Sequence, residues 1–132
     1  MKTPQEILAE AKTIAIVGAS PKPWRPSHDV MGYLLEQGFE VIPVNPRADE
    51  VLGIPCIASL RELERPVDLV DVFRRPEYTP DVAREAVEAD SKELWLQMGI
   101  VSEEARQIAE AGGLDYVENA CTKVVHKLYI AA

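Results

Sequence analysis

The sequence predicts a doubly wound α/β fold, and three observations predict it. Short apolar runs rich in β-branched residues recur along the chain, each ending at turn residues. Such near-continuous runs suit strands covered on both faces, as in a parallel sheet. Segments of helical periodicity fill the gaps, so that strand and helix alternate throughout. Right-handed crossovers and one reversal of direction then imply a Rossmann-like sheet of about five mainly parallel strands, with helices on both faces. The expected strand order is 3-2-1-4-5, and the 132 residues are expected to form a single domain, 1–132.

Each element has its own signature. Thr3-x-x-Glu6 is a capping box for a leading helix. Ile14–Val17 is the first strand and stops at Gly18. Val30, Met31, Leu34 and Leu35 then form an apolar helical stripe, and Gly38 stands where that helix should stop. The second strand, Val41–Val44, runs into Asn45-Pro46, and Ser59-x-x-Glu62 caps a brief helix. The third strand, Val67–Phe73, ends at Arg74-Arg75-Pro76. Thr79-Pro80 opens the next helix, with Thr as cap and Pro in the first turn, and Val82, Ala83, Ala86 and Val87 are its apolar face. Leu94–Met98 before Gly99 is the fourth strand. Ser102-Glu103-Glu104 starts a helix with acids in its first turn, and Gly112-Gly113 ends it. Leu114–Val117 before Glu118-Asn119 is the fifth strand, and Thr122–Ile130 has a helical pattern.

Composition narrows the function. A net charge of −8 argues against a general nucleic-acid binder or an anionic-membrane binder, both of which need a basic face. No apolar run reaches the length of a membrane span, and the N-terminal segment lacks the apolar core of a signal peptide, so the expected location is cytoplasmic. Cys56 and Cys121 are too few for a disulfide framework or a zinc site, and His28 and His126 form no metal-ligand pattern.

In a doubly wound sheet, ligands bind beyond the carboxyl ends of the strands, so the residues after each strand are the candidates. The first strand ends in Gly18-Ala19-Ser20, without the further glycines of a dinucleotide fingerprint. It continues as "PKPWRPS". Prolines have a fixed φ and no N–H, so this segment is a stiff loop that holds Lys22 and Arg25 rather than a run of amide donors. Pro26 at the helix start leaves the amides of Ser27 and His28 to face an anion, with the helix dipole behind them. Trp24 in such a loop calls for a partner. A plain solvated loop is the alternative reading.

The second strand ends in Asn45-Pro46-Arg47, where an NAD site carries an acid for the ribose hydroxyls. An arginine there attracts a phosphorylated ribose instead, so the residues favour NADP or coenzyme A over NAD. Phe73 and Arg74 close the third strand, and the expected strand order puts Arg74 and Arg75 beside Arg47 as a basic rim. At the end of the fourth strand, Gln97 offers hydrogen bonds and Gly99 permits close backbone approach, while Trp95 reads as core.

Taken together, "IAIVGAS.KP.RPS..VM.YLL.QG..VIPVNP", "VD.VDVFRRPE", "LWLQMGI" and "EA.GL..VE..C" resemble the CoA-binding domain family, single-domain relatives of the N-terminal domain of the succinyl-CoA synthetase α-subunit. The resemblance spans nearly the whole chain. It implies a Rossmann-like domain with CoA across the crevice: Gly18, Ala19, Ser20, Lys22, Trp24, Arg25, Pro26, Ser27 and His28 around the diphosphate, and Asn45, Pro46 and Arg47 at the adenosine and its 3′-phosphate. It also implies Phe73 and Arg74 on the adenine side, with Gln97, Met98 and Gly99 near the pantetheine path. The synthetase's phosphohistidine domain has no room in this chain, and His126 lacks the glycine-rich setting of that phosphoacceptor.

The expectation is therefore a module that binds CoA or acyl-CoA without catalysis of its own, serving as a carrier, a sensor or a subunit-like partner of an acyl-CoA enzyme. An NADP-binding enzyme or redox sensor, and a protein-interaction domain with a vestigial pocket, are the alternatives. Cys121 follows the last strand and reads as a small buried residue, with thiol exchange toward CoA as the chemical alternative.

Overall fold

A computed structural model describes residues 1–131. The chain runs α1 (Pro4–Glu10), β1 (Thr13–Val17), α2 (Pro26–Glu36), β2 (Glu40–Val44), β3 (Glu50–Val51) and β4 (Ile54–Pro55), followed by a one-turn 3-10 helix at Leu60–Glu62. It continues through β5 (Leu69–Val72), a second 3-10 turn at Pro76–Tyr78, α3 (Thr79–Glu88), β6 (Glu93–Leu96), α4 (Glu103–Ala111), β7 (Asp115–Val117) and α5 (Thr122–Tyr129).

The capping residues act largely as their spacing predicts. Thr3 Oγ1 accepts the Glu6 N–H while the Glu6 carboxylate accepts the Thr3 N–H, closing the capping box of α1. Ser102 Oγ accepts the Ala105 N–H at the start of α4. Thr79 differs from expectation. It lies inside the first turn of α3 and donates its hydroxyl to Pro76 O, because the preceding 3-10 turn runs directly into the helix. Ser59 caps only a single 3-10 turn, and its partner Glu62 reaches the amide of Ala58.

Five strands form one parallel sheet in the order β2-β1-β5-β6-β7, and β3 and β4 form a small antiparallel hairpin beside it. Counting only the strands of the large sheet, this order is 2-1-3-4-5. The fold is doubly wound as expected, but the expected order 3-2-1-4-5 is corrected.

Pro43 gives a physical reason. Pro43 O accepts the Ile57 N–H, and Asn45 N donates back to Ile57 O, so this side of β2 faces the sheet's outer edge. The Pro43 nitrogen, which has no hydrogen, faces the same way and withholds no bond from a neighbouring strand. An inner position for β2 would have required that donor. Every residue of β5 is buried, and this strand takes the place between β1 and β6. The switch point therefore lies between the ends of β1 and β5.

Side chains alternate between two apolar layers. Ala15, Val17, Val70, Val72, Leu94 and Leu96 pack with α3, α4 and Leu60 on one face. Ile14, Ile16, Leu69 and Trp95 pack with α1 and α2 on the other. Trp95 is fully buried, as its place in the strand predicts, and its indole N–H donates to Ala120 O at 2.8 Å. His126 of α5 is a packing residue. It is buried beside Phe39 and holds the Tyr33 hydroxyl at 2.7 Å through Nδ1, and burial pushes its pKa down. Among the described residues, no helix is long and apolar enough to cross a membrane.

Candidate functional site

A cleft of about 1200 Å³ opens along the carboxyl ends of β1, β2, β5 and β6. Its floor is the turn from β1 to α2. Gly18 adopts φ +89°, and a Cβ there would stand 2.3 Å from Phe73 O, so the turn after β1 touches the backbone leaving β5. Only glycine permits that approach. Beyond it, the amides of Ala19 and Ser20 have no acceptor among the described residues, and neither does the amide of Ser27 in the first turn of α2. Three free N–H groups and the positive end of a helix dipole thus converge on one corner. The His28 amide is not among them, because it bonds back to Arg25 O at 3.0 Å.

The second wall is the turn after β2. The Asn45 side chain is an internal brace: its Nδ2 donates to Ala19 O at 2.7 Å and its Oδ1 accepts the Arg47 N–H at 2.7 Å. It ties the turns after β1 and β2 together and sets the backbone from which Arg47 extends. Pro46 and Arg47 line the cleft beside it.

Phe73 and Arg74 line the cleft from the end of β5, and the Arg74 guanidinium stacks 4.7 Å from the centre of the Tyr78 ring. Because β5 neighbours β1, Arg74 packs against the Gly18 turn. The expected placement of the third strand's arginines next to the second strand is corrected accordingly. Gln97 and Met98 line the cleft from β6.

Most of the residues singled out in the sequence thus converge: Gly18, Ala19, Ser20, Lys22, Arg25, Pro26 and Ser27 line the same cleft as the residues of the other three strand ends. Three lie outside the lining. Trp24 is 75% exposed, with the Lys22 ammonium 6.0 Å from its ring centre. His28 is not among the lining residues, and the Gly99 amide is bonded to Asn119 Oδ1 at 2.8 Å.

Other residues join the site without a sequence signal. Ser59 and Ala58 reach it because Ile57 pairs with Val44 and carries the chain back along β2. Arg75, expected in the basic rim, lines the cleft as well, and Cys121, read from the sequence as a small buried residue, is half-buried and lines it from the start of α5.

The electrostatics of the cleft are lopsided. Lys22, Arg25, Arg47, Arg74 and Arg75 all line it, and none has an ion-pair partner among the described residues. Elsewhere among the described residues only Lys12 and Lys127 lack one, and the remaining lysines and arginines are all paired. Glu85 is the single carboxylate in the lining. An acidic chain has thus left five of its seven unpaired cations around one concavity.

Beneath Gln97 lies a buried polar cluster. Asp71 of β5 is fully buried; its Oδ1 accepts from Gln97 Nε2 at 2.6 Å and its Oδ2 from the Thr122 hydroxyl at 2.9 Å. Burial pushes the Asp71 pKa up to about 7, against the pull of those two hydrogen bonds. Asp68, by contrast, sits at the opposite end of the sheet, where its carboxylate takes the amides of Lys12 and Thr13. The two aspartates form no acid pair.

Comparison with known proteins gives the chain's family. The chain is 45% identical over 122 residues to the Bacillus subtilis (strain 168) protein YneT, covering 92% of this chain and 90% of that one. A solved structure of a Pyrococcus horikoshii OT3 protein superposes with a TM-score of 0.93 at 38% identity, covering 98% of this chain and 93% of that chain. Acetate–CoA ligase (ADP-forming) II of Archaeoglobus fulgidus is 29% identical over 101 residues, which are 75% of this chain but only 15% of the ligase. Residues 12–127 match the CoA binding domain family, and with β1 through β7 and most of α5 inside that match, the chain belongs to this family.

Proposed function

We infer that the cleft binds coenzyme A or an acyl-CoA through its diphosphate and its 3′-phosphate. The observation that carries this reading is the set of five unpaired cations around three free amides. A ligand with both a diphosphate and a separate phosphate on the ribose engages both walls at once. The diphosphate sits at Ala19, Ser20 and Ser27 with Lys22 and Arg25, and the 3′-phosphate sits at Arg47. The role is that of a carrier, a sensor or a subunit-like module; the similarity to a short part of an ADP-forming ligase supports an acyl-CoA enzyme as partner. The site favours CoA over NAD because no acid stands at the end of β2 to receive free ribose hydroxyls.

Calorimetry with CoA, acetyl-CoA, NADP and NAD tests the reading, with the tightest binding expected for the two CoA species. Tighter binding of NADP than of CoA replaces it with the nicotinamide alternative. Replacing Arg47 with alanine is expected to weaken CoA by roughly 1.5–3 kcal/mol, the range for a charge-assisted contact, and to leave dephospho-CoA nearly unchanged. Equal losses for both ligands remove Arg47 from the 3′-phosphate.

A further inference from the structure

The phosphate corner leaves part of the lining unexplained: the uncharged side chains of Gln97, Met98 and Cys121. Gln97 is only 4% exposed, yet it lines the cleft. Its amide nitrogen donates twice, to Asp71 Oδ1 at 2.6 Å and to Thr122 Oγ1 at 2.9 Å, so both of its hydrogens are directed inward. The Thr122 hydroxyl passes its own hydrogen on to Asp71 Oδ2. All three side chains are buried, and the donors and acceptors match in one direction around the ring.

This direction fixes which way the amide points. With both Asp71 oxygens accepting, from Gln97 and from the Thr122 hydroxyl, Oδ1 faces an N–H group. Gln97 Oε1 is therefore turned away from Asp71. It has no donor among the described residues, and it is not sealed inside the protein with the unpartnered buried atoms.

We propose that Asp71 and Thr122 are positioning residues that hold the Gln97 carbonyl toward the cleft, so that this part of the lining accepts a hydrogen bond from an amide N–H of the ligand's arm. The inference rests on the CoA reading, since the pantetheine arm carries such amides. It extends that reading by assigning a polarity to the uncharged part of the lining. An arm that offers only acceptors meets the Gln97 oxygen and loses affinity.

Two measurements on the full chain test it. The first needs no ligand. In a ¹⁵N-labelled sample the two side-chain amide protons of Gln97 are expected to exchange with water more slowly than those of an exposed glutamine, and Asp71→Asn should abolish that protection. Exchange as fast as in an exposed side chain overturns the proposal.

The second is calorimetry with CoA, acetyl-CoA and 3′-phospho-ADP, which keeps the phosphates and lacks the arm. Asp71→Asn can reverse its own amide and let Gln97 flip. It is expected to weaken CoA and acetyl-CoA by about fivefold, the scale of one neutral hydrogen bond, and to leave 3′-phospho-ADP unchanged. Equal weakening of all three makes Asp71 merely structural and overturns the proposal. A loss confined to free CoA points to the thiol as donor and overturns it as well. If the wild type binds 3′-phospho-ADP as tightly as CoA, the arm contact fails while the phosphate reading stands. If neither probe binds, both readings fall.

Discussion

Replacing Gly18 with alanine is expected to destabilise the protein by about 2–4 kcal/mol and to abolish ligand binding in the cleft. Two independent effects act together. At φ +89° an alanine is strained, and its Cβ would lie 2.3 Å from Phe73 O. That oxygen belongs to the backbone leaving β5, so the contact cannot be relieved by a side-chain rotation. Either the turn after β1 lifts or the end of β5 withdraws. Both movements displace the amides of Ala19 and Ser20 and the base of Arg74, which packs at 3.3 Å from the same position. Urea denaturation and calorimetry with CoA read the two losses separately. A Gly18→Ala protein with wild-type stability and wild-type affinity would show that the close approach of the two turns is not required.

Stability is expected to fall as pH rises from about 4 to about 7, and Asp71 is expected to be a large source of that fall. In the unfolded chain an aspartate ionises near its ordinary value of 3.8, whereas the buried Asp71 holds its proton until about pH 7. Between those values the folded state binds more protons than the unfolded state, so each increment of pH favours unfolding. The stabilisation is fully present below pH 3.8 and is lost as pH passes through about 7. At about 1.4 kcal/mol for each pH unit, the whole window amounts to on the order of 4 kcal/mol. Asp71→Asn does not titrate. The stability difference between wild type and this variant should therefore shift in the variant's favour by a comparable amount between pH 4 and pH 8, measured by denaturant midpoints at each pH. A difference that stays flat across that range would mean that Asp71 ionises in the folded protein as it does in solution.

Much of the site was legible because its signals are local. Gly18 after a β-branched run, the prolines that replace the glycines of a dinucleotide turn, and an arginine where an acid would mark NAD are all properties of a few consecutive residues. They depend on strand ends and helix starts, which short-range chemistry determines. Trp24 and His28 fall outside the cleft lining while their neighbours fall within it, for one reason. Membership of a loop says nothing about which side of it faces the cleft, and the turn carries Trp24 into solvent. Gly99 sits after a strand like Gly18, but Asn119, twenty residues on, takes its amide.

The sequence by itself determined the alternation of strand and helix, the parallel sheet and the sheet edge along which the cleft opens. Hydrophobic runs, caps and turn residues act over a few positions, and they leave little freedom at that scale. Only the tertiary structure decided the order of the strands, and with it the neighbours of each strand end. The nitrogen of Pro43 decides little until its direction is known; turned outward, it suits β2 to the edge and leaves the place beside β1 to β5. The Asp71–Gln97–Thr122 cluster is of the same kind. Its members lie on three elements separated by 26 and 25 residues, and a buried carboxylate selects its partners only when the sheet has brought them within hydrogen-bonding distance.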